Sequence, residues 1–506
     1  MRFAALVLAS EVVLAACGTG RPDDVPPPPP DQPTEISGVN RLIHWTANGD
    51  STAVGRAPYD VYVEADVPGG DVVPAQLADD GSFTIPVAPT GPYWLRIVDG
   101  RELREDVYVY TDATTLDLGR DVVGTDRGVA SSNATEVVVD ADGMSPWQDT
   151  DDGDIVIPEL GYRSAFATFF AANPPSAGQD ALADLTYFWV TQPLPATTEG
   201  DEALFVQLRT FHDDALALDY VSPVKAFRSK PIAIADGGMT NVTGTFGDPP
   251  ALDVPLHWKR STFAAQGVMM HPAGCTDELD DESYWLHALP GHAAHGDPSR
   301  QFGGTGLVPE NGPRVIDQIL TYDTTDLDGT FHVLNPYPSD WLHARYSVSF
   351  HITCDIPGFG APGNAEAQIA VITDQLGSDP VVPLVGPVGA PQINGLDLDR
   401  PQGSVGPAPT ISWTAPSLGT ATSFELRIQE VDVSPFGGIV LHETAELVVP
   451  GDVTSVTLPR DVLLDGALYT LQIRAVSRAG QLARTAPFRS GIPLGFADLF
   501  TNYFQP

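Results

Sequence analysis

The chain has 506 residues, 42% of them hydrophobic, enough for roughly three or four domains with packed cores. Its 66 acidic side chains against 26 Lys and Arg give a formal net charge of -40. Such a surface repels phosphate backbones, so nucleic acid is excluded as a partner. Beyond residue 17 no apolar stretch reaches the ~20 residues of a membrane-spanning helix.

Met1 and Arg2 are followed by a short run, residues 3–16, made mostly of Ala, Val and Leu. It is too short to span a bilayer and suits a secretory signal peptide. Leu14-Ala15-Ala16-Cys17 resembles the lipobox of bacterial lipoproteins. The resemblance implies that Cys17 becomes the lipid-bearing first residue of the mature chain, with membrane lipid as a partner. An ordinary signal peptide with an incidental Cys is the alternative. Several acyl chains, each contributing ~0.8 kcal/mol per buried CH₂, would hold the protein stably on a membrane. Residues 1–17 are thus the expected signal peptide and lipobox. Residues 18–35 follow as a stalk, because the prolines of 26–30 favour the extended polyproline II form.

Residues 36–121 read as a β-sandwich. Alternating runs occupy 60–67, 79–100 and 105–112, and Asp80-Gly81 supplies the positive-φ residue of a tight hairpin. Ile36-Ser37-Gly38, Asp80-Gly81-Ser82-Phe83 and Gly91-Pro92-Tyr93-Trp94-Leu95 are similar to the carboxypeptidase-regulatory-like, transthyretin-type domain. That resemblance implies a non-catalytic appendage.

Residues 122–389 match no family by their motifs. Runs at 183–192, 203–211, 231–246 and 344–356 read as strands of one large or two smaller antiparallel domains. Residues 165–173 and the neighbourhood of Ala181 are readable as helix, strand or loop. Residues 390–494 contain strand-like runs at 410–416, 422–431 and 468–480. Trp413 is placed to fill a sandwich, and Tyr469 after Leu464-Asp465-Gly466 looks like a tyrosine corner. This region resembles fibronectin type III, a fold that implies no particular activity. Residues 495–506 are expected to be a tail. The expected fold class is all-β: several antiparallel β-sandwich domains in series with few helices.

The sequence offers no catalytic, cofactor-binding or metal-site residue to nominate. There is no Gly-rich loop ending in G-K-[ST] and no G-x-S-x-G elbow. His442-Glu443-Thr444-Ala445-Glu446 lacks the second His of a zinc-protease helix. His287, His292 and His295 are numerous enough for a zinc site with an open position, and Asp280, Asp281 and Glu282 lie nearby. Pro290 and Gly291 break any helix that would align them, so exposed loop histidines are the plainer expectation. Acidic turns at 140–143, 149–154 and 326–329 suggest calcium, but none completes an EF-hand, and solvated hairpin turns explain them. The sequons at Asn133 and Asn241 read as chance in a bacterial lipoprotein.

The sequence therefore leads to a lipid-anchored protein of the cell envelope, at the outer membrane or cell surface. It is expected to act as a binding or spacer module, with an envelope hydrolase as the rival class. Saccharide or protein is the expected ligand, met by an aromatic surface using Trp147, Trp189 or Trp285; no cofactor is expected. With Cys17 lipidated, Cys275 and Cys354 form an even pair in an exported chain, and a disulfide stapling a loop to a sheet is expected. Two buried thiols, or Cys275 joining a metal site, are the alternatives.

Mass spectrometry of the mature N-terminus is expected to show acylated Cys17. Cys17→Ser should release the protein into the soluble fraction, and unchanged membrane retention would refute the anchor.

Overall fold

Strands follow wherever one side chain in two is apolar, because successive side chains point to opposite faces of a sheet. The computed structural model describes residues 34–506 apart from 46–50, 56–60, 69, 100–105, 124–127, 130–134, 158–161, 166–170, 190–193, 196–201, 233–236, 289–313, 322–323, 357–358, 434–438 and 490. Cys17 and the stalk up to residue 33 lie outside the described residues, as do His292, His295 and the sequon at Asn133. The fold is all-β. Its one described α-helix is the short segment Arg260–Ala264.

A twelve-stranded sheet organises the molecule. In chain order its strands are β1 (Val61–Asp66), β2 (Val72–Pro74), β3 (Tyr93–Asp99), β4 (Asp106–Thr111), β5 (Cys275–Ala288) and β6 (Arg314–Thr321). They continue with β7 (Leu342–Ile356), β8 (Phe359–Ile372), β9 (Ser423–Val433), β10 (Ile439–Pro450), β11 (Tyr469–Arg478) and β12 (Leu494–Phe500). The spatial order is β6-β5-β7-β8-β12-β11-β9-β10-β4-β3-β1-β2. Every pairing is antiparallel except β10 with β4.

Smaller sheets cover this one and bury its apolar side chains. In the first unit Ile36, Phe83 and Ile85 face Val63, Leu95 and Val107. In the last, Ile411, Trp413 and Val456 face Phe424, Leu426 and Ile473. Trp413 meets Phe424 edge-on at 5.1 Å, and the Tyr469 hydroxyl accepts the Leu464 N–H at 3.0 Å. Between them lie two clusters. One is centred on Val139, Ile155, Phe205 and Phe227. The other packs Val254, Leu256 and Phe331 against Tyr284, Tyr346 and Val348 of the large sheet. Side chains of this size contribute roughly 1.5–3 kcal/mol each when fully buried.

The units follow one another along the chain, yet they are not independent. Where β10 meets β4, alternate residues feed different cores: Leu447, Val449, Tyr108 and Trp94 enter the last unit, Val448, Val109 and Leu95 the first. Trp94 Nε1 donates to the Thr457 carbonyl at 2.9 Å, and Arg489 reaches Asp117 and Asp121 at 3.2 and 3.1 Å.

Several expectations change. Residues 495–506 hold most of β12, every residue of which is buried, because it sits between β8 and β11. Asp151, expected on a solvated turn, has a fully buried side chain paired with Arg209 at 2.7 Å and bonded by Gln207 at 2.8 Å. Asp154 is also buried, since it lies in the strand Asp152–Ile157 rather than in a turn. The readable-either-way segment near Ala181 leads into a strand, Leu182–Trp189.

Cys275 and Cys354 are disulfide-bonded, their Cα atoms 4.3 Å apart. Cys275 begins β5 and lies directly opposite Cys354 of β7, so the bridge clamps two paired strands rather than a loop to a sheet. Closing a loop of sequence separation 79 removes denatured-state entropy of about 4.5 kcal/mol. Reduction is expected to lower the unfolding free energy from denaturant titration by an amount approaching that value, and an unchanged midpoint would refute the contribution.

Candidate functional site

The face of the large sheet opposite its cores is polar at its centre. On β7, Ala344, Tyr346, Val348 and Phe350 enter a core, which leaves Arg345, Ser347, Ser349 and His351 on the other side. On β11 the same alternation buries Leu471 and Ile473 in a core and turns out Gln472 and Arg474.

Asp498 of β12 anchors this polar face. Arg474 Nε and Nη2 donate to its two carboxylate oxygens at 2.7 and 2.9 Å, Gln472 Nε2 at 3.0 Å and the Glu366 N–H at 3.0 Å. Asp498 is fully buried, and the Arg474 guanidinium lies 3.6 Å from the Phe496 ring centroid. Burial disfavours the charged form of Arg474, but Asp498, then Glu425 and Glu366, outweigh it and raise its pKa above the ordinary arginine value. A bidentate, fully bonded pair is the arrangement in which a buried ion pair is tolerated.

An open groove of about 720 Å³ runs over this face. Asp280 of β5 stands at one end, followed by Ser349 and His351 of β7 and by Gly363, Asn364 and Glu366 of β8. Asp498, Gln472, Arg474, Arg427 and Gln429 continue it over β12, β11 and β9, and Ile439 and Leu441 of β10 close the far end. A Cβ on Gly363 would stand 2.6 Å from the Phe500 ring, so the floor requires glycine there. Two β-bulges mark the ends. One, between Leu279 and Asp281, makes Asp280 an extra residue; the other, between Ile428 and Gln429, adjoins β10. Bulges re-aim side chains: the first aims Asp280 at the groove, and the second, in which Thr444 is the extra residue of β10, aims Leu441 at it.

Asp281 is in register with Ser349, and Ser349 with Glu366. Burial pushes the Asp281 carboxyl above its usual range, with Glu366 and Asp280 acting in the same direction and Arg345 against them. Arg345 Nη2 donates to Glu366 at 3.4 Å.

The residues nominated from sequence lie mostly elsewhere. His287 is buried in β5 rather than exposed on a loop, stacked on Trp285 at 5.4 Å and on His343 at 5.2 Å. Glu282 is buried against Arg260 at 3.0 Å. Trp147 is buried in the second sandwich, and the Trp189 side chain lies outside the described residues. Neither Trp147 nor Trp285 lines the groove. Among the described residues, no three His, Cys, Asp or Glu side chains group to hold a metal ion. Sequence reading missed Glu366, Arg427, Arg474 and Asp498. The available signal was a charge within an otherwise apolar strand, as Asp498 within Leu494–Phe500.

No family model and no curated protein matches the chain. Among solved structures it is similar to trypsin-activated alpha-2-macroglobulin from Escherichia coli, at 11% identity and a TM-score of 0.13, covering 89% of this chain and 31% of that one. It is also similar to the pilus adhesin SpaC from Lactobacillus rhamnosus GG, at 7% identity and a TM-score of 0.12, covering 82% of this chain and 42% of that one. The chain spans less than half the length of either, and TM-scores this low carry no argument.

Asp498→Ala is expected to strand Arg474 in the sheet and lower stability by about 3–5 kcal/mol in denaturant unfolding. Asp281→Asn should act oppositely. Its carboxyl pKa is higher folded than unfolded, so its favourable contribution is complete below the ordinary 3.8 and lost as pH rises through the folded value. The variant should therefore melt above the parent at pH 7, with the gain gone near pH 3; an equal gain at both refutes the argument.

Proposed function

We propose that the chain is a lipid-anchored protein of the cell envelope that acts by binding. Cys17 carries the anchor, residues 18–35 hold the folded part away from the membrane, and the carboxypeptidase-regulatory-like and fibronectin type III-like units are accessory. The observation that carries the reading is the open groove, to which seven neighbouring strands contribute. An elongated polar trough on a braced sheet presents hydrogen-bonding groups in fixed positions, which is what recognition of a saccharide or protein segment requires.

An envelope hydrolase is the rival reading. Asp281, its pKa raised beside Glu366, is the observation in its favour, because glycoside hydrolysis pairs a carboxylic acid with a carboxylate. Binding alone explains the same groove with fewer requirements.

The detergent-extracted protein is expected to retain ligands from peptide or glycan arrays. Asn364→Trp, which fills the groove from an exposed position, is expected to abolish retention. Retention unchanged in that variant would sink the reading. Turnover of an ester, peptide or glycoside panel, lost in Asp281→Asn, would replace it with the hydrolase.

A further inference from the structure

The groove has a length, a polarity and a charge pattern, and together they narrow its ligand. From β5 to β9 it crosses five strand spacings, or ~24 Å. That is the length of about seven residues of extended polypeptide at ~3.4 Å each. Along the floor, Ser349, Asn364 and Gln429 offer both donors and acceptors, as a peptide main chain does in return.

The charges are unevenly matched along this length. Asp498 and Arg474 satisfy each other. At the β5 end Asp280, Asp281 and Glu366 crowd together, and Arg345 is the arginine that faces them. Toward the other end, Arg427 lies 4.0 Å from Glu425, and its buried Nε has no hydrogen-bond partner among the described residues. One end thus calls for a cation and the other for an acceptor oxygen. Ile439 and Leu441 add an apolar wall beyond Arg427. Among the described residues His351 is the one aromatic ring that lines the groove, a small plate for the apolar face of a sugar. The net charge of -40 attracts a cationic partner from a distance.

We propose that the groove holds an extended basic segment of a partner polypeptide, about seven residues long. A Lys or Arg of the segment lies between Asp280 and Glu366, a main-chain carbonyl accepts from an Nη of Arg427, whose side chain keeps 21% exposure, and an apolar side chain meets Ile439 and Leu441. This rests on the binding function above and names its ligand class.

A random seven-residue peptide library panned on the full chain in detergent tests it, with chitohexaose as the saccharide probe. Selected peptides should be enriched in Lys or Arg near one end, and their affinity should fall as salt rises. Glu366→Gln and Asp280→Asn should each weaken the best peptide about tenfold, the usual effect of removing one charged hydrogen bond. Both variants should keep a single cooperative unfolding transition and the parent's far-UV circular dichroism, separating lost contact from lost fold. Peptides selected without basic residues, or unaffected by both substitutions, overturn the inference. If chitohexaose alone binds, in a manner blocked by Asn364→Trp, the binding function stands and the peptide assignment falls. If neither probe binds, both fall.

Discussion

Everything in this molecule depends on the hydrogen-bond ladder that strand β12 makes on both of its edges. On one side it pairs with β8 through residues 367–370, and on the other with β11 through residues 472–478. Remove it and the other eleven strands become two sheets, each with a raw edge of unpaired N–H and C=O groups. Seven residues thereby join the middle region to the last unit, and the parallel contact of β10 with β4 carries the same sheet into the first. A row of separate sandwiches becomes one braced body.

The ladder also explains why charge is tolerated at the centre. Asp498 lies in a strand whose neighbours on both sides supply donors, so its carboxylate is bonded from β11 by Arg474 and Gln472 and from β8 by the Glu366 N–H. Burying either charge alone would cost several kcal/mol, which is why the pair and its amide neighbour must be present together. The groove above inherits this rigidity. Its floor is a sheet, whose side chains are held at strand spacing, whereas a loop site would need ordering on binding.

Strands were legible in the sequence wherever period-two alternation was clean, as in residues 61–66, 106–111 and 344–356, because that pattern depends only on local burial. The turn at Asp80-Gly81 was equally readable; Gly81 has φ 80° and Ser82 N–H and Oγ both donate to Asp80 Oδ1. The Cys275–Cys354 bridge was expected from an even count in a chain read as exported, but its seat between paired strands was not. The groove was illegible for a physical reason. Six strands give it one or two polar residues each and β10 two apolar ones, and no local pattern says that residue 498 will lie beside residues 366 and 474. Cross-strand neighbours are decided by tertiary pairing, which motif spacing does not encode. His287 misled in another way, since Pro290 and Gly291 suggested an exposed loop whereas the residue lies buried in β5.

The position of β12 in the chain has a temporal side. The strand at the middle of the large sheet is made some 120 residues after β8, its neighbour. Pairings of that sequence separation are slow, because loop closure must come before the contacts that reward it. A nascent chain can assemble its hairpins one by one, yet the body cannot lock until residue 500 is free to dock. Until then β8 and β11 each keep an unpaired edge, and the same strand that closes both is the one that gives the finished molecule its stiffness.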